Sequence, residues 1–127
     1  MTASVYIVDD DPDIRDVVSV MLQAVGLAVV AVESGELALE RVRAEPFDLM
    51  VLDWNLPRMN GLDVCRTLRN DPALALLPVL FLTANAASQD MVEAFAAGGD
   101  DYVTKPFRAP ELGARIFSLL RRARKPA

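Results

Sequence analysis

FDLMVLDWNLPRMNG, residues 47–61, decides the fold. Phe47 to Leu52 is apolar on both faces apart from Asp48, the pattern of a strand in the middle of a parallel sheet with helices covering both sides. Asp53 closes that run, and Pro57 and Gly61 behind it supply turn chemistry. A carboxylate is therefore expected at the carboxyl end of a central strand.

The same alternation extends outward in both directions. Downstream, a helix follows Gly61 and ends around Asn70, Val79 to Leu82 reads as a strand, and a helix lies near Ser88 to Ala97. Asp101 to Val103 is a short strand, and Ala109 to Arg122 a final helix. Upstream, Leu27 to Val32 reads as a strand, and Ser34 is placed to cap a helix running to about Ala44. Ser4 to Val8 opens the series. Asp11 and Pro12 then start a helix with a capping carboxylate and a proline at the first helical position. Ile14, Val17, Val18, Met21 and Leu22 fall at helical spacing, with a stop near Gly26. Strand and helix alternating over short connections imply a parallel sheet wrapped on both faces through right-handed crossovers. The expected fold class is doubly wound α/β with five strands.

At 127 residues the chain is the size of one domain, and 53% hydrophobic against 24% charged residues suffices for a core. The longest apolar stretch, Ala73 to Leu82, is interrupted by Pro78 and falls short of a bilayer span, so no membrane segment is expected. MTASVYIVDDD has no basic region ahead of its apolar run, which argues against a secretory signal. The one cysteine, Cys65, excludes an internal disulfide and fits a reducing, cytoplasmic setting. A net charge of −5 disfavours nucleic-acid binding by the domain. The cluster Arg121, Arg122, Arg124 and Lys125 reads as a solvated helix end that complements the helix dipole, and residues 123–127 as a short basic tail behind a domain of residues 1–122. Histidine is absent altogether, which removes the commonest general base, metal ligand and phosphorylated nitrogen together.

In open parallel sheets, ligands sit outside the carboxyl ends of the strands. Four of the five expected strands end there in a chemically capable residue: Asp9 and Asp10, Asp53, Thr83, and Lys105. Three clustered carboxylates repel unless a cation joins them, and hard oxygen donors from few side chains suit Mg²⁺. A lysine facing them can hold a phosphoryl oxygen as a point charge, while a threonine hydroxyl donates a hydrogen bond. The set fits phosphoryl transfer onto a carboxylate. Taken singly, each residue has a plainer reading: a helix cap in the acidic triplet, a turn after Asp53, a strand residue at Thr83, a surface loop at Lys105. Their joint placement at one sheet edge decides for the site.

VDDDPDIR at residues 8–15, DWNLPRMNG at 53–61, LTAN at 82–85 and DDYVTKPF at 100–107 together resemble the response-regulator receiver domains, of which the bacterial chemotaxis receiver is the simplest member. The resemblance spans Val5 to about Leu120. It implies the strand order 2-1-3-4-5 of that flavodoxin-like fold. It also implies Asp53 as phosphoacceptor, Asp9 and Asp10 as the acidic pair serving Mg²⁺, and the Asn55 backbone carbonyl as a further metal ligand. Thr83 becomes the switch hydroxyl, Lys105 the phosphate-binding amine in a cis peptide with Pro106, and Tyr102 an aromatic that swings inward from solvent when Thr83 moves.

Such a domain signals by conformational change and turns over no external substrate. Lacking histidine, this chain requires a sensor histidine kinase or a histidine phosphotransfer protein as donor. An effector, or a second copy in a phosphorylation-dependent dimer, is expected on the face of the fourth helix, fifth strand and fifth helix. The chain is expected to be either a stand-alone regulator or the receiver of a longer one. Three other readings compete. A dehalogenase-type phosphatase needs a second acid where Asn55 stands, a flavin carrier needs a glycine-rich loop where DDDPD stands, and an interaction module of this fold would work without phosphorylation.

Overall fold

The computed structural model describes residues 2–124. Five strands and five helices alternate: β1 (Ser4–Val8), α1 (Pro12–Ala24), β2 (Ala28–Val32), α2 (Gly35–Ala44), β3 (Leu49–Leu52), α3 (Gly61–Asn70), β4 (Val79–Thr83), α4 (Ser88–Ala96), β5 (Asp101–Thr104) and α5 (Ala109–Arg124). The strands form one parallel sheet in the order β2-β1-β3-β4-β5. Helix α5 runs to Arg124, so the first two residues of the expected tail are helical; Lys125 to Ala127 lie outside the described residues.

Side chains on successive strand residues point to opposite faces, and the two faces build separate cores. Val5, Ile7, Leu49, Val51, Leu80, Leu82 and Val103 pack under α1 and α5. Tyr6, Val8, Met50, Leu52, Val79 and Phe81 pack under α2, α3 and α4. Every residue of β3 and β4 is buried, as a central strand covered on both sides must be. Asp11, Ser34 and Asn60 cap α1, α2 and α3 through their side chains, whereas Ala87 at the start of α4 offers no side-chain cap.

Strand β3 begins at Leu49, opposite Val5 of β1, and not at Phe47, although Asp48 N still donates to Ser4 O at 2.8 Å. Phe47 stacks on Tyr6 at 4.3 Å, and the Asp48 carboxylate accepts from Ser4 N at 2.8 Å. Arg69 carries a role that its place at the end of α3 did not announce. Its guanidinium donates to Gly98 O through Nε (3.0 Å) and Nη2 (2.7 Å), to Ala75 O (3.2 Å) and Leu77 O (2.7 Å), and to Asp100 Oδ2 (2.9 Å). Asp100 in turn accepts from Val79 N at 2.8 Å. One fork thus ties the turns before β4 to the end of α4, and a Cβ at Gly98 would strike the Arg69 side chain at 2.7 Å.

Arg69→Ala is expected to lower stability by about 2 kcal/mol, the scale of charged hydrogen bonds lost in a part-buried setting. A urea midpoint within error of wild type would contradict that. Burial pushes the Cys65 thiol up to about 11. Because the neutral thiol is the favoured folded form, its contribution is fully present below the ordinary thiol value near 9 and is lost as pH rises toward 11. Native protein at pH 8 should therefore resist iodoacetamide and react once unfolded in urea.

Candidate functional site

Strands β1 and β3 are neighbours at the point where strand order reverses, and the loops leaving them diverge to open a crevice. Val8 pairs with Leu52 in register, so Asp9 and Asp53, next along each strand, stand side by side. Thr83 closes β4, and Lys105 follows β5 with its amide donating to Thr83 O at 2.8 Å. The residues expected at the sheet edge thus meet, and the Lys105–Pro106 peptide is cis as the resemblance implied.

Asp9 and Asp53 are buried, at 2% and 5% exposure, while Asp10 faces solvent. Asp9 Oδ1 accepts from Asp11 N (2.9 Å) and Asp9 Oδ2 from Lys105 Nζ (2.8 Å). Asp53 Oδ1 accepts from Asn55 N (3.2 Å) and Asp53 Oδ2 from Lys105 Nζ (3.2 Å). Burial raises the Asp9 carboxyl above its ordinary value, and the neighbouring Asp53 charge adds to the rise against the pull of Lys105 and the Asp11 amide. Burial acts to lower the Lys105 ammonium, but its hydrogen bond to Asp9 and the charges of Asp53 and Asp9 outweigh this, so it is held above its ordinary value.

Oxygens of Asp9, Asp10 and Asp53 lie within 4.8 Å of one another, and one ammonium bridges two of the three carboxylates. A crowded all-oxygen set with excess negative charge fits a hard divalent cation. Gly61 is required behind it. A Cβ there would run into the Asp53 carbonyl oxygen and lie 2.8 Å from Trp54 Cα, so any side chain would displace the backbone that carries Asp53. Beside the crevice, Arg58 adopts a left-handed φ of 66° and is tethered through Nε to Glu36 Oε2 at 2.9 Å.

Thr83 is fully buried, and its Oγ1 accepts from Asn85 N (3.3 Å) and Asn55 Nδ2 (3.4 Å). With both acceptor directions taken, the hydroxyl hydrogen is left to donate elsewhere. Asn85 was not singled out in the sequence, though it lies inside LTAN. Its Oδ1 accepts from Asn55 Nδ2 at 2.7 Å and its carbonyl accepts from the Tyr102 hydroxyl, so it links both sides of the crevice mouth. Tyr102 departs from expectation. It is 6% exposed, with its ring 6.3 Å from Phe81, and occupies the inward position that was expected only after a movement of Thr83. Burial of the ring and a backbone acceptor for its hydroxyl account for that placement.

The family model for the response regulator receiver domain matches residues 5–117. The chain is 41% identical over 122 residues to the DNA-binding response regulator MtrA of Mycolicibacterium smegmatis, covering 96% of this chain and 52% of that protein. It is 44% identical over 122 residues to the DNA-binding dual master transcriptional regulator RpaA of Synechocystis, covering 93% of this chain and 49% of that one. Among solved structures, a putative response regulator from Chloroflexus aurantiacus superposes with a TM-score of 0.92 at 32% identity, covering 95% of this chain and 99% of that one. The chemotaxis protein CheY4 of Vibrio cholerae gives 0.89 at 29% identity, covering 94% and 99%. The chain therefore belongs to the response regulator receiver domains, the signalling domains of two-component systems, whose general function is to accept a phosphoryl group. It spans about half the length of the curated relatives it matches.

A carboxyl raised by burial stabilises the fold only below its ordinary titration range, and that contribution is lost as pH rises through the raised value. At pH 7 the Asp9 charge is thus a cost in metal-free protein. Asp9→Asn keeps an acceptor for the Asp11 amide and removes the charge. In EDTA it is expected to raise Tm by roughly 2–5 °C, the response of such a domain to about 1 kcal/mol. A lowered Tm would show that the Lys105 ion pair outweighs burial.

Proposed function

We propose that Asp53 is the phosphoacceptor of this receiver domain, and that Asp9, Asp10, Asp53 and the backbone carbonyl of Asn55 hold Mg²⁺ beside it. The observation that carries the reading is the Lys105 ammonium bridging Asp9 and Asp53 at the crevice where strand order reverses. When bound, Mg²⁺ supplies charge neutralisation between the carboxylates and the incoming phosphoryl oxygens. In the transfer, an Asp53 carboxylate oxygen forms the new bond to phosphorus as the phosphorus–nitrogen bond of a phosphohistidine breaks, and the released imidazole recovers a proton from water. Lys105 Nζ donates to a phosphoryl oxygen, and the free hydroxyl hydrogen of Thr83 donates to another. The acceptor is a side chain of the domain itself, so in this reading the product is the phosphorylated domain and no external substrate is turned over.

Phosphorylation then favours the arrangement in which Thr83 points to Asp53 and Tyr102 is inward, since a ligand shifts only states that it binds differently. Helix α4 is lightly held: Ala94 is its one buried residue, and Met91, Val92 and Phe95 are exposed. The face of α4, β5 and α5 is the output surface in this reading, for an effector or a second phosphorylated copy. The donor is a sensor histidine kinase or a histidine phosphotransfer protein. Among the described residues no helix is long and apolar enough to cross a membrane, and the buried reduced thiol of Cys65 suits a cytoplasmic setting. The acidic domain itself has no nucleic-acid role here.

Acetyl phosphate with Mg²⁺ is expected to add one phosphoryl mass to the wild-type chain and none to Asp53→Asn, and EDTA should stop the reaction. Equal uptake by Asp53→Asn would move the acceptor elsewhere.

A further inference from the structure

We propose that Arg15 on α1 is a positioning residue for the metal-binding carboxylate of Asp10, an inference that rests on the Mg²⁺ reading above. Asp10 is exposed, whereas its neighbour Asp9 is held at each of its three oxygens. Oδ1 takes the Asp11 amide, Oδ2 takes Lys105 Nζ, and the main-chain carbonyl takes Arg15 Nη1 at 2.8 Å. The last of these bonds acts on Asp10. The carbonyl of Asp9 and the amide of Asp10 belong to one planar peptide unit, so a donor that fixes the carbonyl direction fixes the plane from which the Asp10 Cα and side chain emerge.

Arg15 is itself well placed to do this. It is half-buried in the first turns of α1, its amide donates to Asp11 O at 3.1 Å, and that helix is anchored at its start by the Asp11 cap and Pro12. The sheet holds the other side, with Asp9 N donating to Val32 O at 3.2 Å. Asp9 is therefore clamped through the peptide units on either side of its Cα, the preceding one by β2 and the one shared with Asp10 by Arg15 of α1. The Asp10 carboxylate is presented within 4.8 Å of oxygens from Asp9 and Asp53 with no side-chain hydrogen bond of its own among the described residues. Partners that orient a metal ligand from behind typically change metal affinity by about 10- to 100-fold when removed.

The sign of the effect separates this role from a purely electrostatic one. A guanidinium near three carboxylates repels a divalent cation, so if Arg15 acted through charge alone, removing it would tighten Mg²⁺ binding. If it only supported the fold, Tm would fall with the affinity of the folded protein unchanged. Positioning predicts a looser site despite the lost repulsion. The test is Mg²⁺ titration of the full chain, followed by the fluorescence of Trp54, the one tryptophan, beside Asp53, and by the backbone amide shift of Asp10. Arg15→Met keeps an unbranched stem on the helix surface and removes the donor, and Arg15→Ala is measured alongside it. About tenfold weaker Mg²⁺ binding is expected in each variant that folds, with the Asp10 amide displaced before Mg²⁺ is added. Arg15→Met with wild-type or tighter affinity would overturn the proposal. A wild-type chain that shows no Mg²⁺ response would instead sink the metal reading on which it rests.

Discussion

Charge crowding at the crevice governs the design of this domain. Three carboxylates with oxygens inside 4.8 Å of one another oppose folding, and a single ammonium, carried on the residue after the edge strand β5, bridges two of them. Lys105 can do so because β5 ends two strands away from β3 and its amide is locked to Thr83 O. The register of β4 and β5 that places this lysine is therefore also part of what offsets the repulsion between Asp9 and Asp53. The remaining negative charge fits a hard divalent cation.

The two cores divide the labour. Under α1 and α5 the packing is aliphatic and continuous, with Leu112 and Ile116 fully buried, and this side fixes the base from which Asp9, Asp10 and Arg15 project. Under α2, α3 and α4 the packing includes Phe81, Tyr102 and Ala94 of α4, and it borders the crevice mouth. Asn85 sits where the second core meets the site. Through its amide, side chain and carbonyl, it touches Thr83, Asn55 and Tyr102 in turn.

Element order and sheet type were legible because the strands are short apolar runs, four of them closed by a carboxylate, a hydroxyl or a lysine, and two of the helix starts carry caps visible as Asp11 and Ser34; the Asn60 cap of α3 appeared only in the structure. The convergence of Asp9, Asp10, Asp53, Thr83 and Lys105 was legible for the same reason: parallel strands bring their carboxyl ends to one edge. The start of β3 slipped from Phe47 to Leu49, because where residue pairing with β1 begins is set by the partner strand and not by the apolar run itself. The inward placement of Tyr102 was not legible, because it depends on a carbonyl seventeen residues away. Arg69 was not legible either: an arginine at a helix end usually meets solvent, and nothing local says that Gly98, Ala75, Leu77 and Asp100 will converge on it.

That convergence gives α4 the mechanics of a lever. Its far end is pinned where Arg69 grips Gly98, and its near end at Ala87 has no side-chain cap. Any displacement of the segment from Thr83 to Ala87 would turn the helix about the pinned end. Displacement grows with distance from the pivot, and at about 1.5 Å of rise per residue Met91 stands some 6 Å further out than Phe95. Of the exposed apolar residues on this helix, Met91 would then travel furthest and Phe95 least, so a molecule seated near Met91 would meet a larger stroke and one seated near Phe95 an almost stationary foothold.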